Sequence, residues 1–299
     1  MEKALQNKWV LLITLAITWG SVFILIKKSL LVFDPYEIGA VRMVISGIVL
    51  VKFALPALRK MSKSTLLWVA VAGFFGNFFP TFLFPMAQTH VSSAMAGILN
   101  VLVPIFVLLF GFLFFGIKSR TIQVVGAVFG FLGAAMLVYF SGTTNEGTQF
   151  WYALLIVLAT ACFGLSALIV KYKLDHVPSL QLSSSAITLW MVPSFIALLF
   201  TNFFKGFESN SETWEAMGYL IILAIWSTAI CGVLYYKLIQ RASPIFASTV
   251  TYLSPAVAVF WGLVDGEKFT IWYLVGGVLI LISIYLIREQ NKKPQPLPN

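Results

Sequence analysis

The sequence has few charged residues, few cysteines and few histidines, and each shortage excludes a class of protein. Only 10% of its 299 residues are charged, whereas 60% are hydrophobic, which is too apolar for a soluble domain of this length. Cys162 and Cys231 lie inside apolar runs, so they form no disulfide framework. His90 and His176 have no partners at metal-ligand spacing, so we predict neither a metal site nor a cofactor.

Acidic residues are also scarce, and none lies in the middle of an apolar run. A proton-coupled carrier often keeps a carboxylate deep inside its bundle, so this shortage disfavours proton coupling. The apolar runs also lack a Ser/His, paired-Asp or His/Glu metal constellation, which argues against an intramembrane enzyme. The net charge of +9 comes from short loops and the tail, so it reports membrane orientation and predicts no nucleic-acid partner.

Long apolar segments are abundant, and ten of them are long enough to cross a lipid bilayer. The predicted spans 1 to 10 cover residues 9–26, 36–57, 65–88, 91–116, 121–140, 150–170, 180–201, 214–238, 243–264 and 270–287. With both termini in the cytoplasm, fourteen of the 20 basic residues lie on the inner side, as the positive-inside rule requires. We therefore predict an all-α integral membrane protein with N-in/C-in topology.

The two halves of the chain repeat each other. An offset of 151 carries Pro104 in span 4 to Pro255 in span 9, and an offset of 144 relates the earlier spans. Because each repeat has five spans, the second enters the membrane from the opposite side. We predict inverted repeats at 9–140 and 150–287, followed by a short polar cytoplasmic tail at 288–299. Chance similarity is the alternative, but the paired positions are glycine, proline and lysine.

Pro104 and Pro255 lie near the middle of their spans. Proline removes a backbone donor and crowds the carbonyl one turn earlier, which belongs to Asn100 or Thr251. In hydrocarbon, such carbonyls occur where a helix packs on another helix or lines a wet cavity. We therefore predict that both prolines break or hinge a helix inside the bundle.

Polar and aromatic residues near mid-span predict a central cavity for a small-molecule substrate. Asn77 in span 3 matches Thr228 in span 8 at the offset of 151, and residues one or two turns further on share their helix faces. The predicted substrate-cavity residues are Trp19, Asn77, Thr81, Phe84, Asn100, Thr228, Tyr235, Thr251 and Tyr252. The alternative is that the polar residues only join helices through hydrogen bonds.

One arginine lies within a span. Arg42 is about six residues, or roughly 9 Å, inside span 2 from its outer end. Charges within the hydrocarbon are costly and mark functional positions unless the side chain reaches the interface. We predict an outer-mouth charge, which serves either as a surface anchor paired with Asp34 or as a contact for an anion.

Together these residues resemble the EamA-type branch of the drug/metabolite transporter superfamily. The segment WGSVFILIKKSL at 19–30, followed by Pro35 and Arg42, is similar to the opening of that family. The mid-helix prolines and the Asp-Gly-Glu at 265–267 fit its pattern as well. The first repeat departs from it, because isoleucine instead of glutamate follows Gly116. The resemblance covers nearly the whole chain.

The resemblance implies a ten-helix transporter of the bacterial cytoplasmic membrane, often an amino acid exporter, similar to the YddG-like exporters. Other members carry drugs, nucleotide sugars or sugar phosphates. A cavity with aromatic and amide groups suits a zwitterion better than a phosphate, so we predict amino acid export by alternating access. The alternatives are transport of another solute class, such as drugs or nucleotide-linked metabolites, and a non-transporting membrane scaffold or sensor, for which the loops offer little surface to a partner. The substrate, direction, coupling ion and oligomeric state stay open at this stage.

Overall fold

The structure is a computed structural model, and it describes residues 7–117, 121–140, 146–268 and 270–288. Within these ranges every regular element is a helix, so the all-α prediction is confirmed. Eight helices are long and apolar enough to cross a membrane, and with Thr121–Phe140 and Ile271–Arg288 they form the ten spans. The predicted tail lies outside the described residues except for position 288.

Six spans are continuous helices. They are Lys8–Ser29 (span 1), Pro35–Lys60 (span 2), Thr121–Phe140 (span 5), Glu146–Lys173 (span 6), Ser179–Leu199 (span 7) and Ile271–Arg288 (span 10). A short helix, Phe203–Gly206, lies in the connection before span 8. The other four spans are built from shorter pieces.

The four composite spans are equivalent pairs in the two repeats. Spans 3 and 8 each contain a π-helical segment, and spans 4 and 9 each change direction between two α-helices. The pieces are Lys63–Gly73, Phe74–Phe78 and Phe79–Gln88 in span 3; Ser93–Leu99, Asn100–Leu102 and Val103–Phe115 in span 4; Ser211–Ile222, Leu223–Ile230 and Cys231–Arg241 in span 8; and Pro244–Ser248 and Val250–Val264 in span 9.

Serine side chains set the starts of several spans. Ser62 accepts a hydrogen bond from the backbone N–H of Thr65 at the start of span 3. Ser92 and Ser243, which are equivalent at the offset of 151, cap spans 4 and 9 in the same way. A cap of this kind contributes about 1 kcal/mol. Spans 4 and 9, which are equivalent in the two repeats, therefore begin with the same serine cap.

The spans pack in a pattern that is unchanged when the two repeats are exchanged. Span 2 packs on span 7, and span 5 packs on span 10. Span 1 packs on spans 8 and 9, whereas span 6 packs on the equivalent spans 3 and 4. Inverted repeats related by a pseudo-two-fold axis produce this arrangement, and each half therefore contributes helices to the centre of the other.

Two equivalent glycines let these helices approach closely. A Cβ atom added to Gly20 in span 1 would lie 2.5 Å from the Cβ of Val257 and 2.7 Å from the carbonyl oxygen of Ser254. A Cβ atom added to Gly164 in span 6 would lie 2.9 Å from the Cβ of Phe106. Small residues at membrane helix contacts allow such backbone approach, so these glycines position spans 9 and 4 against the cavity.

Helix breaks were predicted at Pro104 and at Pro255, and the structure has a break at the first of these two prolines. In span 4 a 3₁₀ turn at Asn100–Leu102 is followed directly by Pro104, in the first turn of the next helix. In span 9 the two helices meet at Thr249, whereas Pro255 lies inside Val250–Val264. The predicted break at Pro255 is therefore corrected to Thr249.

Hydroxyl groups satisfy backbone carbonyls at the break in span 9. Thr249 donates to the carbonyl oxygen of Phe246 at 2.7 Å, and Thr251 donates to that of Ser248, also at 2.7 Å. These bonds satisfy carbonyls where the backbone ladder is interrupted, as membrane helices require. A single proline further along can be absorbed by local adjustment without ending the helix.

Candidate functional site

A central cavity lies among spans 1, 2, 3, 4, 6, 8 and 9. Its volume is about 100 Å³, several times the ~10–15 Å³ that one water needs. Eight of the nine predicted substrate-cavity residues line it, namely Trp19, Asn77, Thr81, Phe84, Asn100, Thr228, Tyr235 and Thr251. The mid-span polar and aromatic residues of both repeats therefore converge on one space.

Tyr252 is the exception among the predicted cavity residues. It follows Thr251 directly, so its side chain is turned about 100° around the helix. Its ring packs, partly buried, against the main hydrophobic core, and it is not among the residues of the cavity wall. At this point of span 9 only Thr251 faces the cavity, and this corrects the prediction for Tyr252.

The cavity wall has two-fold symmetry at the level of residues. Seven pairs of lining residues are related by the two sequence offsets. At 144 these are Trp19 with Phe163 and Val22 with Ser166; at 151 they are Gly76 with Ser227, Asn77 with Thr228, Thr81 with Gly232, Phe84 with Tyr235, and Asn100 with Thr251. The cavity therefore lies on the pseudo-two-fold axis of the repeats.

Sequence reasoning missed several lining residues that this symmetry contains. Phe163 follows from Trp19 by adding 144, and Gly232 follows from Thr81 by adding 151. The two repeat offsets could therefore have identified both residues from the sequence. Tyr236 also lines the cavity, but its first-repeat equivalent is Pro85, so the offset gives no polar partner for it.

The π-helical segments place Asn77 and Thr228 at the cavity. Phe74–Phe78 contains the first residue, and Leu223–Ile230 contains the second. The hydroxyl of Thr228 donates to the carbonyl oxygen of Leu223 at 2.9 Å, five residues earlier. π-helical turns are rare and occur frequently at functional sites. Here both repeats carry one at equivalent positions.

Arg42 lies in the wall of the central cavity. Its Nε donates to the hydroxyl oxygen of Thr228 at 2.6 Å, which links span 2 to span 8. In the part of the chain that the structure describes, no carboxylate forms an ion pair with Arg42. The predicted pairing with Asp34 is thus not seen, because Asp34 caps the start of span 2 and Arg42 is directed towards span 8.

Hydrogen bonds and ring contacts order the other cavity side chains. Asn77 donates through Nδ2 to the hydroxyl oxygen of Tyr236 at 3.0 Å, and Thr81 donates to the carbonyl oxygen of Asn77 at 2.5 Å. The indole N–H of Trp19 donates to the carbonyl oxygen of Ser227 at 3.3 Å. Its ring meets that of Tyr235 edge-on at 4.8 Å. These contacts join spans 3 and 1 to span 8.

A cluster of four charged residues joins the repeats at the end predicted to face outside. This outer ion-pair cluster consists of Lys27, Lys28, Asp265 and Glu267. Lys27 lies 2.6 Å from Asp265 and 2.8 Å from Glu267, and Lys28 also pairs with Asp265. The cluster therefore ties the end of span 1 to the connection between spans 9 and 10.

Glu267 also caps the start of span 4. Its carboxylate accepts hydrogen bonds from the N–H of Ser93 at 3.0 Å, the hydroxyl of Ser93 at 2.7 Å and the N–H of Ala94 at 3.1 Å. Burial raises the pKa of the Glu267 carboxyl, but the bonds from Lys27, Ser93 and Ala94 outweigh it and leave the pKa lowered. For Asp265, burial is likewise outweighed by Lys27 and Lys28, so its pKa is also lowered.

At the opposite end of the bundle, the lysine equivalent to Lys27 makes fewer ion pairs. Lys171, the equivalent of Lys27, lies 3.1 Å from the exposed Asp175 and donates to the carbonyl oxygen of Gln240 at 3.0 Å. Isoleucine follows Gly116, where the second repeat has Glu267 after Gly266. Lys171 therefore makes one ion pair among the described residues, whereas Lys27 makes two.

The described residues contain no group of three His, Cys, Asp or Glu side chains that is close enough to bind a metal ion. Cys162 and Cys231 are both buried free thiols. His90 stacks on Tyr152 with ring centroids 3.9 Å apart, away from the cavity wall. The chemistry available at the cavity is therefore that of hydrogen bonding, aromatic contact and a single guanidinium.

Comparisons with known proteins match the whole length of this architecture. The model of the EamA-like transporter family matches residues 7–139 and 150–288. The chain is 28% identical to the uncharacterized inner membrane transporter YedA of Escherichia coli K12, over 91% of this chain and 88% of YedA. It is 24% identical to an uncharacterized transporter of Archaeoglobus fulgidus, over 94% and 99%. A crystal structure with 17% identity has the same fold, with a TM-score of 0.64 over 95% of this chain and 96% of its own.

Proposed function

This chain belongs to the EamA-like transporter family, and we propose that it exports amino acids through the central cavity by alternating access. Membership makes it an integral, multi-pass membrane transporter. The substrate class, the direction and the mechanism are the proposal. The relative YedA is named an inner membrane transporter, which supports placing this chain in a bacterial cytoplasmic membrane. The lipid bilayer and a small-molecule substrate are its proposed partners.

The two-fold symmetry of the cavity wall is the observation that supports alternating access. Seven residue pairs, one member from each repeat, surround the same space. When inverted repeats meet at a central site, rocking one half against the other exposes that site to each side of the membrane in turn. The broken helices at Asn100–Leu102 and Thr249 lie where such movement is expected.

The chemistry of the wall supports an amino acid as the substrate class. Trp19, Phe84, Phe163 and Tyr235 offer aromatic surface, and Asn77 and Thr228 offer hydrogen bonds. Arg42 is the one charged residue among the described lining residues. A phosphate ester needs several cationic donors, whereas a small zwitterion with an apolar side chain matches this wall. The direction rests on the resemblance to amino acid exporters.

Counterflow in proteoliposomes tests the proposal. Vesicles are loaded with an unlabelled amino acid, the labelled form is added outside, and aromatic, small neutral and charged amino acids are compared without an ion gradient. We expect transient accumulation of one class. Nucleosides, sugars and cationic dyes serve as the other solute classes. Accumulation of one of these, with none of any amino acid, would refute the substrate class.

Cavity variants link transport to the site. We expect Asn77→Ala and Thr251→Ala to slow counterflow several-fold, because each removes a polar group from the wall. Ser194→Ala is a matched control, since Ser194 is also buried and bonds a carbonyl of its own helix at 2.7 Å but is not part of the wall. Equal rates for all three variants, at equal folded protein, would contradict the assignment of the cavity as the transport site.

A further inference from the structure

We propose that Arg42, held by Thr228, is the subsite that binds the carboxylate of the transported solute. The inference rests on the proposed function and adds the group by which the solute is recognised. It assigns Arg42 a role in the cavity itself, whereas the sequence alone placed it at the outer mouth.

The charge of Arg42 lies inside the bundle, without a counter-ion among the residues that the structure describes. The side chain lies in a span, lines the cavity and is half-buried, and none of the described carboxylates pairs with it. An intramembrane cation without a partner is costly and marks a ligand or ion pathway. An anionic group on the solute would supply the missing charge.

Most of the hydrogen-bond donors of the Arg42 guanidinium are available to a ligand. Arginine carries five N–H donors in a planar fork, and the bond from Nε to Thr228 uses one of them. That bond also fixes the plane of the fork, because Thr228 is itself held by its bond to Leu223. A carboxylate is the planar anion that such a fork binds with two parallel hydrogen bonds.

Four other cations in the spans lie outside the wall of the cavity. Lys27 and Lys28 belong to the outer ion-pair cluster, and Lys171 pairs with Asp175. Lys52, further along the same helix as Arg42, is exposed and lies 5.0 Å from the ring centroid of Phe53. Arg42 thus differs from these in facing the cavity with its charge unneutralised.

The rest of the wall limits the class of solute. No aspartate or glutamate occurs among the described lining residues, so a solute ammonium finds only neutral acceptors and aromatic faces. A solute with an apolar body therefore makes a stronger polar contact through its carboxylate than through its ammonium group. We expect the site to accept an amino acid and its deaminated acid, and to reject the corresponding amide.

Ligand-induced thermal stabilisation of the purified full chain in detergent tests this ranking. The probes are phenylalanine, 3-phenylpropionate and phenylalaninamide, with the corresponding sets for leucine and alanine. Within at least one set, we expect the amino acid and the acid to bind at least about tenfold more tightly than the amide. A charge-assisted hydrogen bond of about 1.5–3 kcal/mol corresponds to roughly ten- to a hundredfold in affinity.

Variants separate the subsite from general stability. Arg42→Lys keeps the charge but not the fork and should weaken acid binding about tenfold, and Arg42→Met should abolish it. Thr228→Val should weaken it several-fold. Lys52→Met removes a cation from the same helix outside the cavity and should bind as wild type does. If Arg42→Met does not fold, Arg42→Lys and the probe ranking on wild-type protein decide the question.

The outcomes distinguish the two proposals. If the acid binds and the amino acid does not, the carboxylate subsite stands and amino acid export falls. If the amide binds as tightly as the amino acid, or Arg42→Lys retains wild-type affinity, the subsite is overturned while amino acid transport stands. If no amino acid or acid stabilises folded wild-type protein, both are overturned.

Discussion

Replacing Glu267 with glutamine tests how strongly the outer ion-pair cluster joins the two repeats. The substitution keeps the size of the side chain but removes its charge. One carboxylate oxygen becomes an amide nitrogen, which cannot accept the N–H of Ala94 or Ser93. The ion pair with Lys27 at 2.8 Å is lost as well. Span 4 then begins without an anion at its N-terminus.

The expected loss of stability is up to about 3 kcal/mol. A charge at a partly buried helix N-terminus contributes up to about 2 kcal/mol. The pair with Lys27 adds about 1 kcal/mol or less, because the Lys27 side chain is 34% exposed and retains its contact with Asp265. For a chain of this length, such a loss lowers the unfolding midpoint by roughly 5 °C.

The assay uses the two buried thiols of the protein. Cys162 and Cys231 are free and buried, so a thiol-reactive fluorophore labels them only on unfolding and reports the midpoint in detergent. Glu208→Gln is the matched control, because it makes the same charge change at an exposed outer position. A midpoint for Glu267→Gln within about 1 °C of this control would refute the reasoning on magnitude.

Three further predictions concern pH, a helix contact and the inner end. The pKa values of Glu267 and Asp265 are lowered on folding, so the stability that these carboxylates give is complete above about pH 4.5 and is lost as the pH falls further. The unfolding midpoint of the wild type should therefore drop below this pH, and that of Glu267→Gln should drop less. Gly20→Ala should destabilise the fold, whereas Gly218→Ala, with open space at its Cβ, should not. Lys171→Met should lower the midpoint less than Lys27→Met, since Lys171 pairs only with an exposed aspartate; an equal effect would contradict this.

The number of spans and the repeat were predictable from the sequence because they depend on composition and spacing. The length of each apolar run determines whether it can cross a bilayer, and hence how many helices do so. The offset of 151 between Pro104 and Pro255 identified the second repeat. Most of the cavity followed for the same reason. Once Asn77 and Thr228 are equivalent, the packing of inverted repeats brings both to the axis.

The remaining features depend on local geometry that periodicity does not encode. A π-helical turn inserts one residue into a helix, and in runs that are apolar on most sides the resulting shift is not visible, so Phe74–Phe78 and Leu223–Ile230 could not be predicted. The break at Thr249 lies six residues before Pro255, so no proline marks it. The place of Arg42 depends on the rotation of span 2 about its own axis, which its packing on spans 3, 7 and 8 determines.

The position of Arg42 away from the pseudo-two-fold axis has a consequence for how a solute lies in the cavity. A cavity with a symmetric wall offers a small molecule two equivalent orientations, related by exchanging the halves. Arg42 has no such counterpart, because the equivalent position in span 7 is Ser185 at the offset of 143 that pairs Pro35 with Pro178. A solute anchored by its carboxylate therefore binds in one orientation, and its side chain meets the same aromatic surface in every cycle.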